Sequence, residues 1–273
     1  MSQETLARQY LPRAVAVTNS AARTFALATR LLPVSVRRDV YLLYLVMRTL
    51  DDLVDEGSPD ASCRMDQLER WATTGVVVGP EAEILEELFS RHAALSRRPV
   101  LDFLEGMRQD LGRPCFVTEA DVDLYAYRVA GTVGELMASI LGVRREEAYF
   151  AARALGIAMQ RTNILRDLDE DLRSGRVYLA SRTLESLGIE DVAGGDRSAL
   201  LRVGAALAER WYDIGIPGIE DLVRGRQAIR AAALMYREIL RQIGRDGWGA
   251  RRPWRSSVSG RRKAWLTLVA LAS

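Results

Sequence analysis

VRRDVYLLYLVMRTLDDLVDE, residues 36–56, is apolar on nearly every side through its centre, VYLLYLVM, and then ends in two carboxylates four apart, Asp51 and Asp55. Apolar residues recurring at steps of three and four read as a helix, and one with no wet face belongs deep in the molecule. Arg48 and Tyr44 stand three and seven residues before Asp51, so they share its face. Carboxylates on a buried helix are costly unless a cation or hydrogen bonds compensate them.

A second acidic stretch, QRTNILRDLDEDLRSGR (160–176), carries four acidic residues and four arginines. Asn163, Asp167 and Asp171 are spaced four apart, so on a helix each follows the last by about 6 Å of rise and about 40° of rotation. Gln160 extends this ridge of oxygen-bearing side chains. A charged, solvated helix surface is the bland reading of either stretch alone. Two ridges, both beside apolar runs and both with arginines at hand, support a sharper one. Facing each other across a bundle, they would offer oxygen ligands to hard cations such as Mg²⁺. Arg48, Arg166 and Arg176 would then complete a pocket for a diphosphate, whose departure the metal would assist electrostatically.

The remainder of the chain is helical in pattern: EAEILEELFSRHAAL, DVDLYAYRVAGTVGELMASILGV, EEAYFAARALGIAMQRTNILRDLDEDL, LLRVGAALAERWYDIGI and GRQAIRAAALMYREILRQIGRDGW. Breakers separate these runs at Pro33, GSPD (57–60), VVVGP (76–80), RRP (97–99), GRPC (112–115) and GGD (194–196). No strand-like alternation persists, no fixed repeat occurs, and no Pro/Ser-rich linker divides the chain. The expectation is all-α: a single domain over residues 1–273, built as a helical bundle.

Composition narrows the function. Of 273 residues, 48% are hydrophobic and 27% charged, and the net charge of +2 with no basic–aromatic block argues against a nucleic-acid partner. Cys63 and Cys115 form neither a CxxC pair nor a disulfide framework, which suits a reducing compartment. His92 is the only histidine, against a histidine metal site or a serine-type triad. MSQETLARQYLPRA lacks an apolar signal core, and no stretch reaches a membrane span. The tail AWLTLVALAS reads as a terminal helix packed on the body, with loose peripheral membrane contact as the alternative. A cytoplasmic protein is expected, its oligomeric state left open.

In VAGTVGELMAS, Gly131, Gly134 and Ala138 strip one helix face of side chains. Close helix–helix packing is one reading, and an apolar groove is the other. Met137, Ile140 and Leu141 would line such a groove or, equally, belong to the core.

Four blocks in order resemble the squalene/phytoene synthase family over nearly the whole chain: residues 20–56, YAYRVAGTVGELMASILG, QRTNILRDLDEDLRSGRVYL, and MYREILRQIGRDGW followed by RRPWRSSVSGRRKAW. The resemblance implies a class I isoprenoid synthase-like bundle around a central cavity, with the acidic motifs facing across its mouth. Carried over by residue, it implies that Asp51, Asp55, Asn163, Asp167 and Asp171 hold Mg²⁺. Arg23, Phe25, Arg48, Gln160, Arg166, Arg176 and Tyr236 would bind substrate, with Val129, Ala130 and Gly134 along the prenyl groove. Tyr44 and Tyr125 match cavity tyrosines that face the reacting cations. The implied reaction is Mg²⁺-dependent ionisation of an allylic prenyl diphosphate and head-to-head condensation with a second one, giving a squalene, dehydrosqualene or phytoene type product.

Several positions depart from the common pattern. Ala21 and Ala22 stand where polar residues are usual, with only Arg23 and Thr24 before Phe25; Ala126 replaces a Cys and Ala180 a Pro. Loss of polar groups near one diphosphate would suit an aromatic acceptor, the alternative enzyme reading. A non-catalytic assembly factor of the family is the third, disfavoured because both ligand sets are intact, with Glu56 and Glu170 beside them. No GxGxxG fingerprint follows a strand, which leaves the part of NADPH open. Arg161, where an apolar or Lys side chain is commoner, has no account in the sequence.

Overall fold

The chain is described here by a computed structural model covering residues 3–21, 23–112 and 114–272; the side chains of residues 3–8, 20, 21, 23 and 25 lie outside the description. Its helices are α1 (Gln3–Ala21), α2 (Arg23–Thr29), α3 (Val34–Asp55), α4 (Ala61–Thr74), α5 (Pro80–Arg91), α6 (Arg98–Leu111) and α7 (Glu119–Ala126). They continue as α8 (Thr132–Leu141), α9 (Glu147–Arg166), α10 (Leu168–Arg173), α11 (Ser181–Ser186), α12 (Ser198–Gly215), α13 (Arg226–Arg245) and α14 (Gly260–Ala272). Among the described residues no strand forms; Phe116–Ala180 and Val143–Leu222 are isolated bridges. The all-α expectation holds.

One main core runs through the elements from Ala14 to Val258. The long apolar stretch read first becomes α3, which buries Val40, Leu42, Leu43, Leu45, Val46, Met47 and Leu50. Helix α9 is the second axis, packed against α7, α8, α12 and α13. Its glycines and alanines permit unusually close approach. A Cβ on Gly156 would stand 2.4 Å from the Ala130 carbonyl oxygen, and one on Gly134 2.4 Å from that of Ala152. Both distances lie far inside van der Waals contact, so α8 and α9 pack backbone to backbone.

Two stretches read as single helices are interrupted. The middle block passes from α7 to α8 through a π-helical turn, Tyr127–Gly131. Such turns admit one extra residue per turn and gather at functional sites, and here the turn carries Val129 and Ala130 into the cavity wall. The second acidic block breaks at Asp167 (φ −99°, ψ 8°). Helical hydrogen bonds still span the break, Asp167 N–H to Asn163 and Asp171 N–H to Asp167. Asp169 anchors the short α10 from the side, accepting both Arg197 guanidinium nitrogens at 2.6 and 2.9 Å. The ridge of Asn163, Asp167 and Asp171 therefore runs over a kink, not along one straight helix.

Arg161 is explained by this packing. It is 4% exposed and clamps α9 to α7: Nε donates to Asp123 at 2.5 Å, and Nη1 to Glu119 at 2.9 Å. Trp211 Nε1 from α12 donates to the same Asp123 oxygen at 2.8 Å.

Candidate active site

Helices α3, α6, α7, α8, α9 and α13 enclose a cavity of about 1190 Å³, more than the ~300–1,000 Å³ usual for one drug-sized ligand. Its deep walls are apolar, from Met47, Phe103, Met137, Leu155 and Ile219, and its mouth is charged. Met137 and Leu141 line it, as expected of the groove. Ile140 does not: it is fully buried core, on the side of α8 turned from the cavity. Gly134 serves both readings of the small-residue stripe, since it faces the cavity and admits α9. Gly131 is only a packing residue, its missing Cβ accommodating Tyr127 at 3.0 Å and the Arg153 carbonyl at 3.3 Å.

At the mouth, α3 presents Tyr44, Arg48, Asp51 and Asp55 from one face. From the other side come Gln160, Asn163 and Arg166 of α9, then Asp167, Glu170 and Asp171 around the kink. The two ridges meet. Arg176, in the loop after α10, crosses the mouth to ion-pair with Asp55. Arg48 holds Asp51 at 2.8 Å and Asp52 at 2.5 Å.

Negative charge at this mouth is only partly compensated. Asp51 is recessed, and its pKa is pushed up to about 7, first by burial and then by Asp55 and Asp110, against the pull of Arg48. Asp171 also rises to about 7, through burial and the charges of Asp167, Glu170 and Asp55, opposed by Arg176. For both groups, burial and the neighbouring carboxylates outweigh the arginine that each faces. Asp167 behaves oppositely: burial raises its pKa, but bidentate Arg166 (2.8 and 2.5 Å) and Arg255 (2.6 Å) outweigh it, and the net shift is down.

Sequence reading missed Asp110, Tyr178, Arg255 and Lys263, all of which line the cavity. Asp110 is buried in α6 and accepts the hydroxyls of Tyr125 and Tyr178 at 2.8 and 2.9 Å. Burial raises its pKa to about 6 despite those bonds. The two phenol rings stack, with centroids 5.2 Å apart. A lone Asp amid FLEGMRQDLG gave no spacing signal, whereas Tyr178 follows the second acidic block directly and could have been found there. Arg255 sits on a strap between α13 and α14. Trp254 N–H fastens it to Asp169 at 2.9 Å, and Ser256 Oγ to Asp246 at 2.8 Å. Its signal was present in RRPWRSSVSGRRKAW, a basic run without one carboxylate.

Of the residues expected to bind substrate, Arg48, Val129, Ala130, Gly134, Gln160 and Asn163 all face the cavity, as do Arg166, Arg176 and Tyr236. Arg23 and Phe25 fall among the side chains outside the description. The five expected metal ligands share one cavity but not one point: among the described residues, no three His, Cys, Asp or Glu groups converge closely enough to hold an ion. Asp51, Asp55 and Asp167 are each turned to an arginine instead. The donor set nonetheless fits a hard cation. Every donor is oxygen, and Asn163 Oδ1 is buried with no hydrogen-bond partner, its Nδ2 occupied by Gln160 at 3.2 Å. A buried amide oxygen left bare is an unmet acceptor.

A family model described as squalene/phytoene synthase matches residues 18–262. Phytoene synthase 2, chloroplastic, of Solanum lycopersicum is 35% identical over 241 residues, 81% of this chain and 77% of that protein. Phytoene synthase of Pseudescherichia vulneris is 33% identical over 274 residues, 92% of this chain and 87% of that protein. Among solved structures, a dehydrosqualene synthase in complex with ligand superposes with a TM-score of 0.86 at 26% identity, covering 99% of this chain and 98% of that one. Squalene synthase HpnC from Alicyclobacillus acidocaldarius gives 0.77 at 25% identity, covering 89% and 95%.

Proposed function

The chain belongs to the squalene/phytoene synthase family of prenyltransferases, and from that premise we propose that it ionises one allylic prenyl diphosphate and joins it head to head with a second. The observation that carries this reading is the meeting of both acidic ridges, with their arginines, at the mouth of one apolar chamber large enough for two chains.

The residues divide the work by place. Arg48, Arg166, Arg176 and Arg255 supply planar, bidentate donors for the diphosphates at the mouth. Bound Mg²⁺, held by Asp51, Asp55, Asn163, Asp167 and Asp171, would supply Lewis-acid compensation for the charge that builds on the departing diphosphate. The C–O bond breaks, its electron pair leaves with the diphosphate, and positive charge stays on the prenyl carbon. A double bond of the second chain attacks that carbon, and loss of a proton to the released diphosphate closes a cyclopropane. The second diphosphate then leaves, the chains rearrange, and the last cation loses a proton or takes a hydride from NADPH. Burial raises the pKa of both Tyr44 and Tyr125, so these phenols stay protonated at neutral pH. They act through their electron-rich faces and not as bases. Met47, Phe103, Met137 and Leu155 keep out the water that would quench the cation to an alcohol.

The test is product analysis with C10, C15 and C20 allylic diphosphates and Mg²⁺, with and without NADPH. A Mg²⁺-dependent hydrocarbon and released diphosphate are expected, and the NADPH arm shows whether the cyclopropyl intermediate is reduced. No turnover of any allylic diphosphate, or transfer only to an added aromatic acceptor, would overturn the head-to-head reading.

A further inference from the structure

The chain carries 38 basic side chains, and all but Lys263 are arginine. That one lysine lines the chamber. In GRRKAW (260–265) three cations follow one another, and each has a different setting. Arg261 is exposed, and Arg262 donates to Glu238 at 3.1 and 3.2 Å. Lys263 stands three and seven residues before Leu266 and Ala270, which join Ala28 of α2 and Ala231 and Met235 of α13 in a small second core. It therefore shares the packing face of α14, and its side chain forms part of the chamber wall.

The elements around Lys263 differ in charge from the two ridges. Segments 22–38, 222–237 and 247–273, which cover α2, the first half of α13, the strap and α14, contain no Asp or Glu. The carboxylates nearest them in sequence are held within the protein. Asp246 accepts from Trp254 and Ser256, and Glu238 pairs with Arg241, Arg245 and Arg262. Asp167, where the strap lands, pairs with Arg166 and Arg255. Thr24 of α2, Arg255 and Lys263 all line the chamber, and Met159 and Ala232 belong both to its wall and to the second core. The ridges offer a diphosphate carboxylates, which an anion approaches only through a metal. These elements offer it cations and a hydroxyl directly.

We propose that Lys263, with Arg255 and Thr24, seats the diphosphate of the second prenyl chain directly, without a bridging metal. The inference rests on the two-substrate reading and gives its second anion a place. A lone lysine suits the task. Its ammonium is a compact point charge whose three donors rotate, whereas a guanidinium is a rigid planar fork. Arg48, Arg166 and Arg176 are each engaged by a carboxylate of the ridges, which keeps them at the metal end of the mouth. Lys263 stands on α14, with no acidic residue in its own helix or in the strap before it. Binding of the anion does not depend on the reaction and is tested without a prenyl chain.

Because Lys263 is the only lysine, amine acetylation of the full chain reports on it once the α-amino group is set aside. The chain is treated with acetic anhydride in the presence of a chelator, and the peptide carrying residue 263 is followed by mass spectrometry. Inorganic pyrophosphate at about ten times its dissociation constant should slow this modification about tenfold, and sulfate at equal ionic strength should not. Lys263→Met should raise the KM for the allylic diphosphate by about tenfold or more, with kcat and melting temperature near wild type. Lys263→Arg should recover most of that loss. If Lys263→Met failed to fold, the acetylation decides. An unchanged rate under pyrophosphate, protection that appears only with Mg²⁺, or a wild-type KM in a folded Lys263→Met would each overturn the proposal. Protection by pyrophosphate in a chain that turns over no prenyl diphosphate would support the anion seat and remove the head-to-head reading alone.

Discussion

Asp51 and Asp167 sit at the same mouth with opposite shifts, one raised by burial and the other lowered between two arginines. Neither contributes to the apolar core. Asp51→Asn and Asp167→Asn should each cut turnover by about 10²-fold or more while circular dichroism and thermal melting stay near wild type. Near-normal rates at limiting Mg²⁺ would remove either residue from the ligand set. Arg161 makes the contrasting case. Arg161→Met would strand Glu119 and Asp123 behind α9 and should cost about 3–5 kcal/mol of stability, read by urea denaturation. Glu238 offers a pH handle. It is fully buried; burial raises its pKa, but Arg262, Arg245 and Arg241 outweigh this and bring it to about 2 from 4.5. A depressed acid stabilises the fold above its unfolded pKa and loses that contribution as pH falls through 4.5 toward 2. Glu238→Gln should therefore be less stable than wild type at pH 7 by at most about 3 kcal/mol, and the gap should close on acidification; a gap independent of pH would contradict this. At this scale the spacing of Asp51, Asp55, Asn163, Asp167 and Asp171 was legible because period alone puts them on one side of a helix. Asp110 was not, because its role depends on two tyrosine hydroxyls brought from other elements.

Helix placement followed the apolar period closely, since α3, α9, α12 and α13 each bury a face that three- and four-residue steps define. The π turn at Tyr127–Gly131 and the kink at Asp167 escaped such reading. Both arise from tertiary contacts, the close passage of α8 against α9 and the grip of Arg197 on Asp169. The backbone contact of α9 with the π turn that leads into α8 yields its own test. Gly156→Ala would place a methyl carbon 2.4 Å from the Ala130 carbonyl, which the two helices relieve only by moving apart. A loss of about 1–3 kcal/mol is expected, with a shift in product chain length because both helices wall the chamber. Gly188→Ala, at a loop position with no neighbour within 4 Å but φ +64°, should affect stability alone. Equal product profiles for the two variants would show that the α8–α9 spacing does not set the chamber.

At the scale of the molecule, a bundle around a cavity was readable from the resemblance, and the residues bordering that cavity came largely from quoted motifs. The quoted closing block carried the strap's arginines, but no linear pattern could supply where the strap lands. It returns from the far end of α13 to lay Arg255 on Asp167, 88 residues away in sequence. The strap and Arg176 bear on what the fold itself asks of a metal. Arg176 pairs with Asp55, and Arg166 and Arg255 pair with Asp167, so two of the proposed metal ligands have counterions within the protein. A chelator should then leave the melting temperature almost unchanged, whereas Mg²⁺ with inorganic pyrophosphate should raise it by several degrees, as saturating ligand adds about 2.7 kcal/mol at a hundred times its dissociation constant. A marked drop on chelation would mean that the metal is a structural member. Otherwise the fold carries its own counterions: on the proposed reading, the arginines would neutralise the carboxylates without metal and turn to the pyrophosphate on binding.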